Sequence, residues 1–335
     1  MIYPEFLKEG SLIGICAPSA GTGHKIESFE RSESVLEKEG YRILESASVR
    51  EDSPRGGDAA ARGRELNALF ADPSVTMVMA ATGGDFLDEM LPFADFDLMR
   101  EHPKWLMGAS APTGLLYPYT TLCDVATLYG CNAGSFDCEG AYPDYIADAL
   151  SILKGGTVVQ KSSAMHLGTA PFLAQSPVYD TPTRWEGSGE EIYAEGRCIG
   201  GCIDVLKDLI GTRFDGTKKF LERYASQDGI IWYFDNFSLS AEMLYRTFLQ
   251  MKYAGWLENA QAVLLGRTLF EKSESGMSYE EACRLAFGRP GDADYIPWIR
   301  DMDIGHTIPH MTMINGAMLQ VQYQGGAGSL KFSLT

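Results

Sequence analysis

Apolar runs in the first half of the chain alternate with segments of helical spacing. Residues 11–17 and 75–81 are apolar runs, whereas residues 26–39 and 60–70 carry apolar side chains three and four positions apart. Strands that alternate with helices at these distances predict βαβ units and a parallel sheet covered on both faces. Ligands of such sheets bind at the carboxyl ends of the strands.

The alternation resumes in the second half, after a segment in which it weakens. Residues 153–189 are rich in Gly, Pro, Ser and Thr and indicate a crossing between two domains. Beyond it, residues 230–234 have the pattern of a buried strand and residues 239–253 that of a helix, which Gly255 ends. At 335 residues the chain is longer than one typical core, so two domains are expected. We place the domains at 1–165 and 191–335 and the crossing at 166–190.

Three further elements are predicted from glycine positions. We expect residues 83–85 to turn the chain from a strand into a helix. Gly200 and Gly201 are expected to open a helix over residues 202–210. Residues 318–332 are typical of a hairpin whose turn lies at the glycines near 325.

Composition excludes several classes of protein. The net charge of −17 argues against nucleic-acid binding, which needs clustered Lys and Arg, and against an anionic membrane surface. The first residues lack the features of a signal peptide, and no run reaches the roughly 18 to 20 apolar residues of a membrane helix. A cytoplasmic protein is therefore expected. The seven cysteines form no CxxC pair, so we predict buried thiols rather than disulfides or a metal site.

The stretch that points to chemistry is residues 104–114, an apolar strand that enters a turn of small residues. Ser110 falls at the corner between this strand and a helix with Pro112 in its first turn. A hydroxyl at this corner has the geometry of a nucleophile elbow, although the G-x-S-x-G pattern is absent. A serine that caps the helix is the alternative, and this stretch alone favours it. Residues 83–85 and this turn both follow strands, so they are expected to be neighbours.

A serine nucleophile needs a base and an orienting acid. Among the five histidines, His306 lies in a glycine-flanked loop after an acidic stretch. Asp235 directly follows the strand at 230–234, as active-site acids often do, although a turn aspartate before Asn236 is equally consistent. Residues 83–85 offer backbone N–H groups to an oxyanion, or form a turn that needs positive φ. Dinucleotide and P-loop fingerprints are absent, so no cofactor is expected.

Together, in this order and spacing, these segments resemble the LD-carboxypeptidase family of serine peptidases, which includes the microcin C immunity proteins. The resemblance runs over nearly the whole chain, and no single motif decides it. The segments that carry it are residues 15–19, the helix at 62–70, 83–85, 91–92, Asp95, 108–113, 195–201, 209–212, 232–236, 255–256, 266–267, 305–306 and 315–317.

The family resemblance implies an α/β fold with two domains. The first is a flavodoxin-like (class I amidotransferase-like) parallel-sheet domain, and the second is a β-rich swivelling α/β domain. The resemblance also implies a triad in which Ser110 is the nucleophile, Asp235 stands at the family's glutamate position and His306 is the base. Such proteins are commonly homodimers, so a homodimer is expected.

An oxyanion hole is also implied by the resemblance. Its donors are the backbone N–H groups around Gly84 and Ala111, to which the glycine turn adds that of Asp85. The sequence departs from the family beside the nucleophile, where Ala109 and Ala111 replace an aromatic residue and an aspartate. It departs again at Asp235, which is one methylene shorter than glutamate and must approach His306 more closely or bridge to it through water.

The resemblance predicts a serine carboxypeptidase or amidase that acts on a small peptide or peptide conjugate. It implies two substrate classes, an L,D-linked murein tetrapeptide and a microcin-like aminoacyl-nucleotide. The sequence Thr-Gly-Gly-Asp at 82–85 is more similar to the microcin-immunity branch than to the murein enzymes. A catalytically impaired binding protein on the same scaffold is the alternative, which Ala109, Ala111 and Asp235 favour. A flavodoxin-like cofactor binder has little support without a phosphate-binding loop.

Overall fold

The computed structural model describes residues 1–138, 143–169, 171 and 178–335, and these form two compact units. The first unit contains Met1–Thr157 and Thr312–Gly316, and the second contains Val158–Met311 and Ala317–Thr335. The domain boundaries given above stay a prediction, and residues 170 and 172–177 of the predicted crossing lie outside the described residues.

Strands and helices alternate along most of the described chain. The strands are β1 (Leu12–Cys16), β2 (Arg42–Glu45), β3 (Val75–Ala80), β4 (Trp105–Gly108), β5 (Thr127–Tyr129), β6 (Val159–Lys161), β7 (Met165–His166), β8 (Thr181–Pro182), β9 (Glu186–Gly187), β10 (Glu191–Cys202), β11 (Ile230–Asp235), β12 (Ala260–Gly266), β13 (Trp298–Met302), β14 (Met313–Asn315), β15 (Met318–Gln324) and β16 (Ala327–Ser333). The α-helices are α1 (Ile26–Lys38), α2 (Ala59–Ala71), α3 (Phe96–Glu101), α4 (Thr113–Cys123), α5 (Asp144–Leu153), α6 (Ile203–Leu209), α7 (Thr217–Asp228), α8 (Ala241–Tyr253) and α9 (Tyr279–Phe287). Short 3-10 helices lie at Gly23–Lys25, Ala47–Arg50, Leu91–Phe93 and Ala133–Ser135.

The first unit is built on a sheet with the order β2-β1-β3-β4-β5-β14. Strands β1 to β5 are parallel, and β14 pairs with β5 in the antiparallel direction. The order 2-1-3-4-5 is that of flavodoxin-like sheets, whose ligands bind where the chain leaves the middle strands in opposite directions. Here that point is the carboxyl end of β1 and β3. The predicted parallel-sheet domain is confirmed.

The second unit contains a mixed sheet with the order β6-β16-β15-β10-β11-β12-β13-β9. Strands β10 to β13 are parallel and alternate along the chain with α6 to α9, whereas the outer strands pair in the antiparallel direction. The predicted C-terminal hairpin is confirmed, since β15 pairs with β16 through Gly325 and Gly326. Both glycines have positive φ, as a tight hairpin turn requires. The β-rich second region is therefore also confirmed.

One predicted helix start is wrong for a physical reason, and another predicted helix is confirmed. Residues 83–85 lead into an irregular turn rather than a helix, because both backbone groups of Phe86 bond elsewhere, to the hydroxyl of Ser19 and to Arg62. The helix predicted over residues 202–210 is confirmed as α6, and Gly200 and Gly201 lie near the end of β10, directly before that helix. A Cβ at Gly200 would come within 1.9 Å of the carbonyl oxygen of Tyr233, so this glycine permits close strand packing.

The structure bears on the predictions made from composition about the cysteines and about membrane helices. The seven cysteines are free thiols, and the predicted burial is confirmed for six of them. Every helix among the described residues is too short or too polar to cross a membrane.

Candidate active site

Ser110 lies in the turn between β4 and α4 in a strained backbone conformation. Its φ is +68°, a left-handed value that costs a residue with a side chain about 1–2 kcal/mol. The turn is held from the end of β5, where the Tyr129 hydroxyl accepts the Ser110 N–H at 3.2 Å. The side-chain oxygen of Asn132 accepts the Ala109 N–H at 3.0 Å. Strain of this kind at a strand-to-helix corner is characteristic of a nucleophile elbow.

The alternative role of Ser110 as a helix cap does not fit this geometry. Helix α4 begins at Thr113, its cap position is Pro112, and no side chain accepts a hydrogen bond there. The Ser110 carbonyl accepts the N–H of Thr113 at 2.9 Å, but that bond uses only the backbone. The Ser110 hydroxyl is therefore not used to cap α4.

The turn at residues 83–85 lies directly against Ser110, as expected from their positions after β3 and β4. A Cβ added at Gly83 would lie 3.0 Å from the Cβ and 3.2 Å from the Oγ of Ser110. Gly84 has a φ of +138°, and a Cβ there would lie 2.6 Å from the hydroxyl oxygen of Ser19. The turn is thus packed between Ser19 and Ser110, and glycine is needed on both sides.

Several backbone N–H groups beside Ser110 are available as donors. Within the described ranges, the N–H groups of Gly84, Asp85 and Ala111 donate to no acceptor of the protein, whereas those of Ala109 and Ser110 do. Fixed N–H donors of this kind stabilise a negative oxygen that develops during acyl transfer. The structure thus places the three predicted oxyanion donors in the first unit, with Ser110.

In the second unit, Asp235 and His306 form a close ion pair. Asp235 is the last residue of β11 and is fully buried, and its Oδ2 lies 2.7 Å from Nδ1 of His306. Its Oδ1 accepts the backbone N–H of His306 at 3.3 Å. With His306 protonated, this short contact is an ion pair.

Gly305 explains how the shorter acid reaches the histidine. Its φ is +91°, and a Cβ there would lie only 2.0 Å from Cγ of Asp235. The backbone of the loop that carries His306 therefore packs directly against the Asp235 carboxylate. A side chain at position 305 would prevent this close contact. The methylene missing from Asp235 is compensated by this close approach.

The surroundings of His306 favour its charged form. Burial alone would lower the pKa of His306, but the negative charges of Asp235 and Asp204 outweigh burial and raise the pKa above its ordinary value of 6.5. The Asp204 carboxylate also accepts the backbone N–H groups of Phe237 and Ser238, at 2.9 and 3.0 Å. The Phe237 ring in turn packs 4.5 Å from the ring of His306. Asp204 thus both stabilises the imidazolium and holds the residue that packs against it.

A second buried pair anchors the loop that carries His306. The Asp303 carboxylate lies 2.9 Å from the Arg267 guanidinium and accepts the indole N–H of Trp185 at 2.9 Å. Arg267 also donates to the carbonyl of Pro309 at 3.2 Å. The loop is therefore fixed three residues before and three residues after His306.

A third side chain lies beside the acid–histidine pair and raises the question of a metal. Ligand atoms of Cys202, Asp235 and His306 lie within 4.8 Å of one another. Burial, assisted by the charge of Asp235, raises the pKa of the Cys202 thiol well above its usual range, and a protonated thiol is a poor ligand. Nδ1 of His306 already contacts Asp235. The set fits an acid–histidine pair with a neighbouring thiol better than a metal centre.

Sequence reasoning missed the groups that support the site. Asp204 and Asp303 lie in no local motif, and Arg267 is marked only by the segment at 266–267 in the family resemblance. Burial lowers the pKa of His310 to about 4, so it stays neutral beside the pair. A polar residue that contacts backbone far away in the sequence leaves no periodic pattern of apolar and polar residues. These positions therefore could not be found from the sequence alone.

Comparison with known proteins identifies the family. The LD-carboxypeptidase N-terminal domain matches residues 13–130, and the LD-carboxypeptidase C-terminal domain matches residues 195–321. The chain belongs to the LD-carboxypeptidase family. It is therefore a member of a peptidase family of hydrolases, as the resemblance predicts.

Named relatives of this LD-carboxypeptidase family member cover most of its length. A Vibrio cholerae protein named as a carboxypeptidase is 26% identical over 290 residues, which are 82% of this chain and 83% of that protein. The microcin C7 self-immunity protein MccF of Escherichia coli is 25% identical over 336 residues, which are 95% of this chain and 92% of that protein.

Solved structures of family members share the fold. An MccF-like protein from Bacillus anthracis has a TM-score of 0.83 at 21% identity and covers 100% of both chains. MccF in complex with aspartyl sulfamoyl adenosine has a TM-score of 0.81 at 22% identity, covering 99% of this chain and 98% of that chain. A muramoyltetrapeptide carboxypeptidase from Oxalobacter formigenes has a TM-score of 0.74 at 17% identity, covering 96% and 99%.

Proposed function

We propose that this chain is a serine carboxypeptidase or amidase that hydrolyses an amide bond in a small peptide or peptide conjugate. The observation that carries the proposal is the 2.7 Å contact of buried Asp235 with His306, which has the geometry of the acid and base of a catalytic triad. The strained turn at Ser110 and the N–H donors beside it support the nucleophile and the oxyanion hole. The family resemblance assigns these groups to one triad.

Each group has a defined part in the proposed reaction. The Oγ of Ser110 attacks the scissile carbonyl carbon while Nε2 of His306 takes the hydroxyl proton. Asp235 stabilises the imidazolium, and the N–H groups of Gly84, Asp85 and Ala111 hold the oxyanion. The imidazolium then gives its proton to the leaving amine as the C–N bond breaks. Water, activated by the same histidine, hydrolyses the acyl-enzyme and releases the acid and the free serine.

The position of Asp235 favours an enzyme over an impaired binding protein. The shorter acid was one of the features that supported the impaired alternative. Because Gly305 lets the carboxylate contact His306 directly, that feature no longer argues against catalysis. The alternative then depends on Ala109 and Ala111, neither of which removes a nucleophile, base or acid.

Two substrate classes follow from the relatives. MccF has been solved with aspartyl sulfamoyl adenosine, and another structural neighbour is named as a muramoyltetrapeptide carboxypeptidase. We therefore propose an aminoacyl-nucleotide conjugate or a murein tetrapeptide as substrate. A homodimer and a cytoplasmic location are part of the same proposal, and sedimentation of the purified protein and cell fractionation would test them.

Mass spectrometry of reaction mixtures tests the proposed function. The wild type, Ser110→Ala and Ser34→Ala are incubated separately with an aminoacyl sulfamoyl adenosine and with a murein tetrapeptide ending in D-Ala. Ser34 lies exposed on α1 and serves as the matched control. We expect the wild type and Ser34→Ala to release an amino acid from one of the two substrates, and Ser110→Ala to release none. Equal cleavage by Ser110→Ala, or none by any variant, would contradict the proposal.

A further inference from the structure

A buried guanidinium lies beneath the turn that supplies the proposed oxyanion donors. The side chain of Arg62, on α2, has no solvent exposure. One of its terminal nitrogens donates to the carbonyl oxygens of Pro18 at 2.6 Å and Ser19 at 3.2 Å. Both terminal nitrogens donate to the carbonyl oxygen of Phe86 at 3.2 Å. A single planar group thus joins the segment after β1 to the segment after β3.

The bonded segments enclose the glycine turn at residues 83–85. The hydroxyl oxygen of Ser19 accepts the N–H of Phe86 at 3.2 Å, and the N–H of Ala20 donates to the carbonyl of Gly83 at 3.2 Å. Gly84 packs so closely on Ser19 that a Cβ would meet its hydroxyl. Arg62 therefore holds Ser19 and Phe86, and Ser19 together with the adjacent Ala20 contacts the turn.

Stability alone does not account for an arginine at this position. Its nearest carboxylate, that of the half-exposed Glu89, lies 3.8 Å away, and its Nε has no acceptor among the described residues. A buried cation with so distant a partner is costly, and apolar residues of similar volume are often neutral or stabilising in its place. The planar group does offer what an apolar residue lacks, several donors in a fixed geometry.

We propose that Arg62 is a positioning residue for the oxyanion hole, acting through Ser19 and Phe86 to fix the N–H groups of Gly84 and Asp85 beside Ser110. This inference rests on the proposed function, since it assigns a role in that reaction. Among the described contacts, Arg62 does not touch Ser110. A shift of about 1 Å in groups that surround a transition state lowers turnover by about 10²-fold.

The test compares Arg62→Ala with Arg64→Ala, which removes an exposed arginine two positions further along α2. We expect Arg62→Ala to lower kcat about 10²-fold with KM changed less than about threefold, because the donors act on the transition state. Arg64→Ala should match the wild type. Millimolar guanidinium, which can occupy the vacated site, should restore part of the kcat of Arg62→Ala but should not change that of Arg64→Ala.

Two milder variants keep the inference testable when Arg62→Ala does not fold. Arg62→Lys keeps the charge but has a single ammonium in place of the planar fork, and we expect a loss of kcat of about tenfold. Ser19→Ala removes only the acceptor for the N–H of Phe86, and we expect a similar loss. Wild-type kcat in both variants would overturn the inference, as would a loss confined to KM in any of the three.

Amide hydrogen exchange separates failure of this inference from failure of the proposed function. In Arg62→Lys, exchange should rise at the hydrogen-bonded N–H groups of Phe86 and Ala20 relative to Arg64→Ala, whether or not a substrate is turned over. If the wild type is inactive but exchange rises as expected, the proposed reaction fails and the structural link from Arg62 to the turn holds. If exchange at these residues does not change, the positioning role is overturned even in an active enzyme.

Discussion

Gly305→Ala is the substitution that most directly tests how Asp235 reaches His306. The added Cβ would lie 2.0 Å from Cγ and 2.0 Å from Oδ1 of Asp235, whereas such contacts are essentially never shorter than 3.0 Å. The loop and the carboxylate must therefore separate by at least about 1 Å. Alanine at a φ of +91° adds a backbone cost of about 1–2 kcal/mol.

The kinetic effect follows from that separation. The 2.7 Å ion pair would lengthen to nearly 4 Å, and the acid would no longer orient the imidazole or stabilise its charge. We expect kcat to fall by about 10²-fold or more, since a 1 Å misplacement in an active site costs about that factor. The pKa of His306 should fall as well, because its main stabilising charge moves away.

Gly276→Ala is the matched control for backbone strain. Gly276 has a φ of +82°, but a Cβ there would meet nothing within 4 Å, so the substitution carries the strain without the clash. Both variants are assayed for kcat as a function of pH and for thermal stability. If Gly305→Ala retains the kcat of Gly276→Ala at every pH, the close approach of the loop does not support catalysis and the reasoning is refuted.

Three other predictions concern the same pair and its loop. Wild-type kcat/KM should rise with pH through a pKa above 6.5, because His306 must be neutral to act as base. Asp235→Asn should lower that pKa and reduce kcat by about 10²- to 10⁴-fold. An unchanged pKa in the pH–rate profile of Asp235→Asn would contradict the ion pair. Asp235→Glu should lose activity rather than gain it, because the longer side chain has no room against Gly305, and a kcat above that of the wild type would contradict this packing. Asp303→Asn should weaken the anchor to Arg267 and reduce kcat about tenfold with the histidine pKa unchanged, which pH–rate profiles would check.

Elements with strong periodicity could be predicted from the sequence, and those governed by distant polar contacts could not. The strands at 12–16, 75–80 and 230–235 and the helices at 26–38 and 59–71 follow from local patterns of apolar residues. The expected helix after residues 83–85 fails because the backbone of Phe86 is bound by Arg62 and Ser19, which lie 24 and 67 positions away. Such contacts have no local sequence pattern.

Only part of the candidate site could likewise be predicted from the sequence. Ser110 and residues 83–85 could be placed because both follow strands of one parallel sheet. Whether Asp235 reaches His306 could not be predicted, since it depends on the left-handed backbone of Gly305 in a loop some 70 residues away from the acid. The family resemblance implied that Asp235 pairs with His306. The close approach of Gly305 to the Asp235 carboxylate explains why an acid shorter than glutamate fits.

In the proposed reaction, Ser110 is a nucleophile that His306 activates. The most direct measurement is intact-protein and peptide mass spectrometry after incubation with a fluorophosphonate, an electrophile that phosphonylates activated serines. We expect one added phosphonyl group on the peptide that contains Ser110 in the wild type, none in Ser110→Ala, and at least about 10²-fold slower labelling in His306→Gln. An unlabelled wild type, or equal labelling of Ser110→Ala, would contradict this role of Ser110.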